Sequence, residues 1–322
     1  MTDRAYQLQV EPYQRPFRRP LTTRYGTWAV REGAIITLRS TNGAMRQGEI
    51  APLEWFGSES LATALTFCQQ FNGRITAAQI AQIPDRYPCC QFAFEMALAG
   101  FTPERYSDAP NRDRGLATQR YHIAALLPTG PTAINHWREL YAQGYRSFKW
   151  KIGVTDMIDE QIWCQRLYQQ LPQDCQLRLD ANASLSVRDS EQWLTYLADK
   201  SIEYLEQPLH SDCFDAMQIL AEKYATPIAL DESIANLQQI NTCYERGWQG
   251  LYVIKPAIVG SPQRLTEFVQ QHQIDTVFSS VFETEIGYAA ALNLAQSLRT
   301  NDRALGFGTN EWWDNQRVSK DL

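Results

Sequence analysis

The stretch SFKWKIG, residues 147–153, sets two lysines, Lys149 and Lys151, two positions apart inside an apolar run. Side chains at i and i+2 of a β-strand share one face, so both ammonium groups leave this strand on the same side. Working outward, similar short apolar runs recur: YHIAALLP before it, then CQLRLD, IEYLE, TPIALD, GLYVIK, DTVFSS and RALGFG after it, with stretches of helical length between them. Buried strands alternating with helices are the grammar of βα units. About eight strands and seven helices fit a closed parallel barrel better than an open sheet. An open doubly wound sheet is the alternative, but no glycine-rich phosphate loop follows any of these strands.

The helices between the runs carry their own signals. Ile134, Trp137, Leu140 and Tyr141 share one face of a helix that Gly144 ends. Ser261 is placed as an N-cap and Pro262 as the first helical residue, with Leu265, Phe268 and Val269 facing inward. Upstream of residue 116 the pattern differs. Residues 27–51 alternate in the manner of an antiparallel meander, with a turn at Asn42-Gly43, and ESLATALTFCQQFNG, TAAQIAQIPD and CCQFAFEMALAG are helical in period. The first hundred or so residues therefore read as an α+β unit ahead of the barrel.

The composition bounds the function. A chain of 322 residues, 44% hydrophobic, can bury a barrel-sized core and a smaller domain. Thirty Lys+Arg against 36 Asp+Glu leave a formal charge of -6, which argues against a nucleic-acid binder held by phosphate neutralisation. Seven scattered cysteines show no CxxC or zinc spacing and read as reduced thiols. No apolar run approaches the ~18 residues of a membrane span, and no secretory leader pattern opens the chain, so a soluble cytoplasmic protein is expected.

The strand ends carry the chemistry. Lys149 and Lys151 close the second run, Asp180 the third, Glu206 the fourth, Asp231 the fifth, Lys255 the sixth, and Ser279 with Ser280 the seventh. From Lys151 to Ser279 the intervals are 29, 26, 25, 24 and 24 residues, about one βα unit each. In a barrel the C-terminal strand ends meet at one mouth, so three carboxylates and three lysines would converge. Singly, each has an ordinary reading: an edge lysine, a helix cap, a solvated strand terminus. Three carboxylates in one mouth would repel and take up protons unless a cation neutralised them. All-oxygen ligands favour a hard ion such as Mg²⁺, with Mn²⁺ as a substitute. Such an ion stabilises the charge formed when a carbon next to a carboxylate loses its proton, with a lysine as base. Lysine, with an ordinary pKa near ~10.4, needs that value lowered to serve as a base. Lys149, roughly 6–7 Å from Lys151, is expected to help by like charge.

At these residues the chain resembles the enolase superfamily, specifically its muconate-lactonizing-like branch, with KxK on the second barrel strand and a lysine on the sixth. The likeness spans essentially the whole chain. It implies a (β/α)8-type barrel of modified (β/α)7β form over residues 116–305, and an N-terminal α+β capping domain over residues 1–115, completed by 306–322. It also implies Asp180, Glu206 and Asp231 as Mg²⁺ ligands, Lys151 as catalytic lysine, Lys149 as its helper and Lys255 as the opposing lysine. Asn182, in LDAN, matches the outer-shell asparagine behind the first ligand. A Lys base working with Mg²⁺ is the superfamily's known chemistry.

Within the branch, RPFRRPLTTRYGTW resembles the flexible capping loop of a group of dehydratases, and GEIAPLEWFGSESL the segment after it. FSSVFETEIG and LGFGT resemble that group's seventh-strand serine and eighth-strand glycine motifs. The group removes water from a small dicarboxylate, and on that likeness Ser279, Ser280, Arg19 and Gly308 are assigned to substrate. Arg15, Arg18 and Arg24 complete a basic cluster that suits two carboxylates in a closing loop. The serines could equally cap the next helix. His122, His136, His210 and His272 form no ligand spacing, and Trp55, Phe56 and Trp150 either wall the pocket or fill core. Racemases and epimerases of N-acylamino acids or dipeptides use the same lysine pair; LGFGTNEWW lacks the Asp-x-Asp with which dipeptide epimerases hold an amine. A barrel that binds acids or metals without catalysis is the other alternative.

Overall fold

The computed structural model describes residues 4–23, 26–100, 123–309 and 312–313. Strands β1 (Ala5–Thr23) and β2 (Gly26–Arg39) form a long antiparallel hairpin, which β3 (Met45–Ile50) and β4 (Arg74–Thr76) extend into a sheet of order β3-β2-β1-β4. Ala34, Ile36 and Leu38 alternate inward and are fully buried, as the period-two pattern requires. The turn falls at Asn42-Gly43, where Gly43 takes φ +84°. Helix Pro88–Ala99 lies directly on β3. A Cβ at Gly48 would stand 2.0 Å from the Ala93 carbonyl oxygen, so only glycine allows this approach.

The second sheet is the barrel. Its eight strands are β5 (Ile123–Leu126), β6 (Ser147–Lys151), β7 (Gln176–Asp180), β8 (Tyr204–Glu206), β9 (Ile228–Leu230), β10 (Leu251–Ile254), β11 (Thr276–Phe278) and β12 (Leu305–Gly308). Neighbours pair in parallel from β11 through β5 to β12. A parallel bridge between Ser279 and Gly306 joins the two ends of that order. Helices Ala133–Ala142, Met157–Gln170, Val187–Tyr196, Phe214–Lys223, Leu237–Glu245, Pro262–His272 and Glu285–Leu298 connect successive strands, giving the (β/α)7β form. Tyr204, Ala229, Leu251, Val253 and Val277 form a small apolar cluster of their own. Phe148 and Trp150 join the larger core with the outer helices, so Trp150 packs and does not wall the site. Ser261 caps its helix as expected, accepting from the Arg264 N–H at 3.3 Å.

The last barrel strand runs through Gly308, so residues 306–308 belong to the barrel and not to the capping unit to which the sequence reading assigned them. The reason is local: LGFG continues the β-pairing with β5 before the chain turns away. Beyond it, Trp313 stacks on Phe17 of the hairpin at 4.7 Å. The expected boundary near residue 115, like His122 and Arg24, lies outside the described residues.

Capping sheet and barrel are pegged together by a buried carboxylate. Glu49 of β3 accepts from the Tyr13 hydroxyl at 2.5 Å, from the backbone N–H groups of Thr284 and Gly287 at 2.9 and 2.8 Å, and from the Thr284 hydroxyl. It thus fills the amino end of helix Glu285–Leu298, where orphan N–H groups and the helix dipole favour a negative charge. Beside it, the buried Arg31 of β2 donates through Nε to the Phe282 carbonyl at 3.2 Å and through Nη1 to the Pro52 carbonyl at 2.7 Å.

Candidate active site

Parallel register sets the centre of the site. Lys151 stands opposite Asp180, and Asp180 opposite Glu206, at the carboxyl ends of β6, β7 and β8. Asp231 follows β9 and Lys255 follows β10. All five, with Lys149 and Asn182, line one cavity, together with Ser279, Ser280 and Gly308. Leu21, Trp28, Leu53, Trp55 and Phe56 of the capping unit cover it.

The charges pair unequally. Lys149 Nζ lies 2.9 Å from Asp180 Oδ2 and 2.7 Å from Glu206 Oε1, and Lys255 Nζ binds Asp231 Oδ1. Among the described residues Lys151 has no such partner: its ammonium faces the cavity alone. Burial alone would disfavour the Lys149 charge, but Asp180 and Glu206 outweigh it and hold that ammonium well above the ordinary lysine value. Asp180 is likewise opposed by burial and pulled below the usual carboxylate range by Lys149 and Lys151. Burial, reinforced by Asp180, pushes Glu206 up to about 7. Lys149, expected to act on Lys151 as a like charge, is itself held between two carboxylates that β7 and β8 bring within reach.

The donor set suits a divalent cation. Glu206 Oε2 is buried without a hydrogen-bond partner among the described residues, and Asp180 at the end of β7 and Asp231 just after β9 flank it. Oxygen donors of this kind match a hard ion. Among the described residues no three carboxylates are yet drawn close enough to enclose one, because Lys149 reaches between Asp180 and Glu206 and Lys255 holds Asp231.

Four non-glycine residues beside the mouth have positive φ: Asn182 at 43°, Ala183 at 58°, Gln207 at 36° and Phe282 at 63°. Such conformations persist where surrounding contacts over-determine them, often at functional sites. Asn182 donates its backbone N–H to Asp180 Oδ1 at 3.0 Å and its amide to Glu232 Oε1 at 3.3 Å. Gln207 accepts from the Asp231 N–H at 2.8 Å and donates to the Ser233 hydroxyl at 2.7 Å, tying the end of β8 to the end of β9.

The remaining assignments fare differently. The Ser279 hydroxyl donates to the Gly306 carbonyl at 3.1 Å, and that of Ser280 to Glu283 at 2.5 Å, so both are engaged by the protein at the cavity edge. Gly308 is needed for a close approach, since a Cβ there would meet the Ala124 carbonyl at 2.3 Å. Arg19 does not line the cavity; it is exposed, over the Trp312 ring at 4.6 Å, and Arg15 lies over Trp313 at 4.2 Å. Of the described histidines, His136 and His210 pair with Glu139 and Asp212, and His272 packs against Tyr244 and Phe268.

Arg178, Tyr204 and Glu232 also line the cavity and escaped the sequence reading. Arg178 and Tyr204 precede Asp180 and Glu206 by two positions, so the period-two rule applied to Lys149 would have found them. Arg178 is buried and forked onto Glu203 at 2.6 and 3.1 Å. Glu232 is pushed up to about 8 by burial and then by Asp231 and Asp180. Nothing in its local sequence distinguishes it from a helix-start acid.

A parallel barrel whose carboxyl mouth sets three carboxylates on successive strands between two lysine-bearing ones, roofed by an antiparallel unit, defines a class of acid–base enzyme. Residues 132–321 match the family model described as enolase C-terminal domain-like, and residues 5–101 match the MenC N-terminal domain. An o-succinylbenzoate synthase of Thermosynechococcus vestitus is 36% identical over 93% of this chain and 91% of that protein. The crystal structure of o-succinylbenzoate synthase from Thermosynechococcus elongatus BP-1, complexed with Mg in the active site, superposes with a TM-score of 0.86 at 34% identity, covering 97% of this chain and 96% of that one. The L-Ala-D/L-Glu epimerase of Bacillus subtilis shares the fold, with a TM-score of 0.77 at 20% identity over 96% of this chain and 90% of its own. The chain belongs to the o-succinylbenzoate synthase family of the enolase superfamily.

Proposed function

We propose that this protein is an o-succinylbenzoate synthase, a hydro-lyase that removes water from 2-succinyl-6-hydroxy-2,4-cyclohexadiene-1-carboxylate on the route to menaquinone or phylloquinone. The observation that carries the reading is Lys151, a lysine facing the cavity without an ion-pair partner among the described residues, in register with Asp180 and Glu206. Lys151 takes the proton from the carbon beside the ring carboxylate and returns it to the departing hydroxyl, one residue serving as base and then acid on one face. Lys149 holds Asp180 and Glu206 in place from below. Lys255, fixed across the mouth, faces the charge that develops as the proton leaves. Asp180, Glu206 and Asp231 would hold Mg²⁺, or Mn²⁺ in its stead, which supplies Lewis-acid stabilisation of the substrate carboxylate when bound. Asn182 orients the first of these ligands. Trp28, Trp55 and Phe56 exclude water above the ring. The substrate is a small dicarboxylate, for which Ser279, Ser280 and Gly308 shape the far wall.

The test is conversion of the hydroxycyclohexadiene carboxylate with Mg²⁺, followed by loss of diene absorbance. Lys151→Ala is expected to lower kcat by roughly 10²–10⁴-fold. Slow conversion by the unaltered protein, alongside rapid α-proton exchange on an N-acylamino acid, would move it to the racemase reading.

A further inference from the structure

The lysine opposite the base is gripped from two sides. One side is Asp231; the other is the face of Phe56, whose ring centroid lies 4.0 Å from Lys255 Nζ. Phe56 belongs to the capping unit, in the short 3-10 turn Glu54–Phe56. That turn is closed on itself: the Phe56 and Gly57 N–H groups bond Leu53 and Glu54 carbonyls at 2.9 and 3.1 Å, and the Leu53 N–H bonds the Ser58 hydroxyl at 2.8 Å. Phe56 is 8% exposed, so the ring has little room to leave. Lys255 caps no helix with its own side chain, and its backbone precedes Pro256, so these two contacts are what place the ammonium.

The two contacts are not equivalent. A carboxylate that turns to a divalent cation gives up part of its hold on an ammonium, whereas an aromatic face attracts the ammonium through its quadrupole and offers nothing to a metal held by oxygen. We infer that Phe56 is a positioning residue that keeps Lys255 in place as a stationary cation across from Lys151, and so favours loss of water on one face over proton exchange between two lysines. The inference rests on the synthase reading above. It gives the capping unit a part in choosing the reaction: the ring comes from a segment about two hundred positions away from the lysine it holds.

The experiment compares Phe56→Leu and Phe56→Tyr with the unaltered enzyme. For dehydration, Phe56→Leu is expected to lower kcat roughly 2- to 30-fold with KM nearly unchanged, the span of cation–π strengths, while Phe56→Tyr, which keeps a π face, stays close to the parent. The ratio of α-deuterium exchange on N-succinylamino acids to dehydration rises in Phe56→Leu. A second readout does not depend on turnover: acetic anhydride labelling of Lys255 with Mg²⁺ present, followed by mass spectrometry, should be faster in Phe56→Leu than in Phe56→Tyr. Equal losses in both variants, or a change confined to KM, would leave Phe56 a wall of the pocket and nothing more, and overturn the inference. If the unaltered enzyme fails to dehydrate, the synthase reading fails, and labelling still decides whether the ring holds the lysine.

Discussion

Two buried carboxylates, Glu49 and Glu206, sit in strands of two different sheets and do opposite work. Glu49 is fully buried, and both its oxygens are taken by neutral donors: a tyrosine, a threonine and two backbone N–H groups. Glu206 is equally buried, yet one oxygen meets a lysine and the other meets nothing among the described residues. Burying a polar group is tolerated when its bonds are complete and costs free energy when they are not. A carboxylate whose bonding is complete holds the protein together. One kept short of partners, raised to about 7 by its burial and then by Asp180 beside it, is held ready for something from outside.

The contrast can be broken experimentally, beginning where the largest effect is expected. Glu206→Gln should lower turnover by at least ~10²-fold and weaken Mg²⁺ binding in isothermal titration, without lowering the urea midpoint measured without metal. A variant that unfolds readily would put Glu206 in the same structural class as Glu49. Glu49→Ala should do the reverse, costing about 3 kcal/mol in urea unfolding because four hydrogen-bond donors are left buried without that acceptor. If its stability is unchanged and only kcat falls, the peg between sheet and barrel is not structural.

A smaller effect sharpens the same comparison through pH. Glu283 lies between the two regions, accepting from Ser280 while its other oxygen has no partner among the described residues, and burial raises its pKa above the ordinary 4.5. Above pH 4.5 the unfolded chain has released a proton that the folded protein still holds, so this group makes stability fall as pH rises through its folded value. Glu283→Gln should flatten that decline in urea unfolding measured from pH 5 upward. Parallel curves for the two proteins would remove Glu283 from the account.

Much of the barrel was legible because its signals are local. Each strand is an apolar run ended by a polar residue, and a strand's end is where a barrel opens, so Lys151, Asp180, Glu206, Asp231 and Lys255 could be placed at one mouth from spacing alone. Arg178 and Tyr204 were within reach of the same rule. A basic cluster in a loop says nothing about which way each guanidinium turns; that of Arg19 lies over Trp312, nearly three hundred positions away.

The sequence by itself determined the alternation of strands and helices, the strand-end residues and the oxygen-rich character of the mouth, since these follow from hydrophobic period and residue type along a few adjacent positions. Only the tertiary structure decided that Lys149 is compensated while Lys151 faces the cavity without an ion-pair partner among the described residues, that Glu49 closes a helix of the other unit, and that Phe56 covers Lys255. Those outcomes depend on distances between side chains on separate elements. Charge pairing and desolvation fall steeply with such distances, and no local pattern in the chain encodes them.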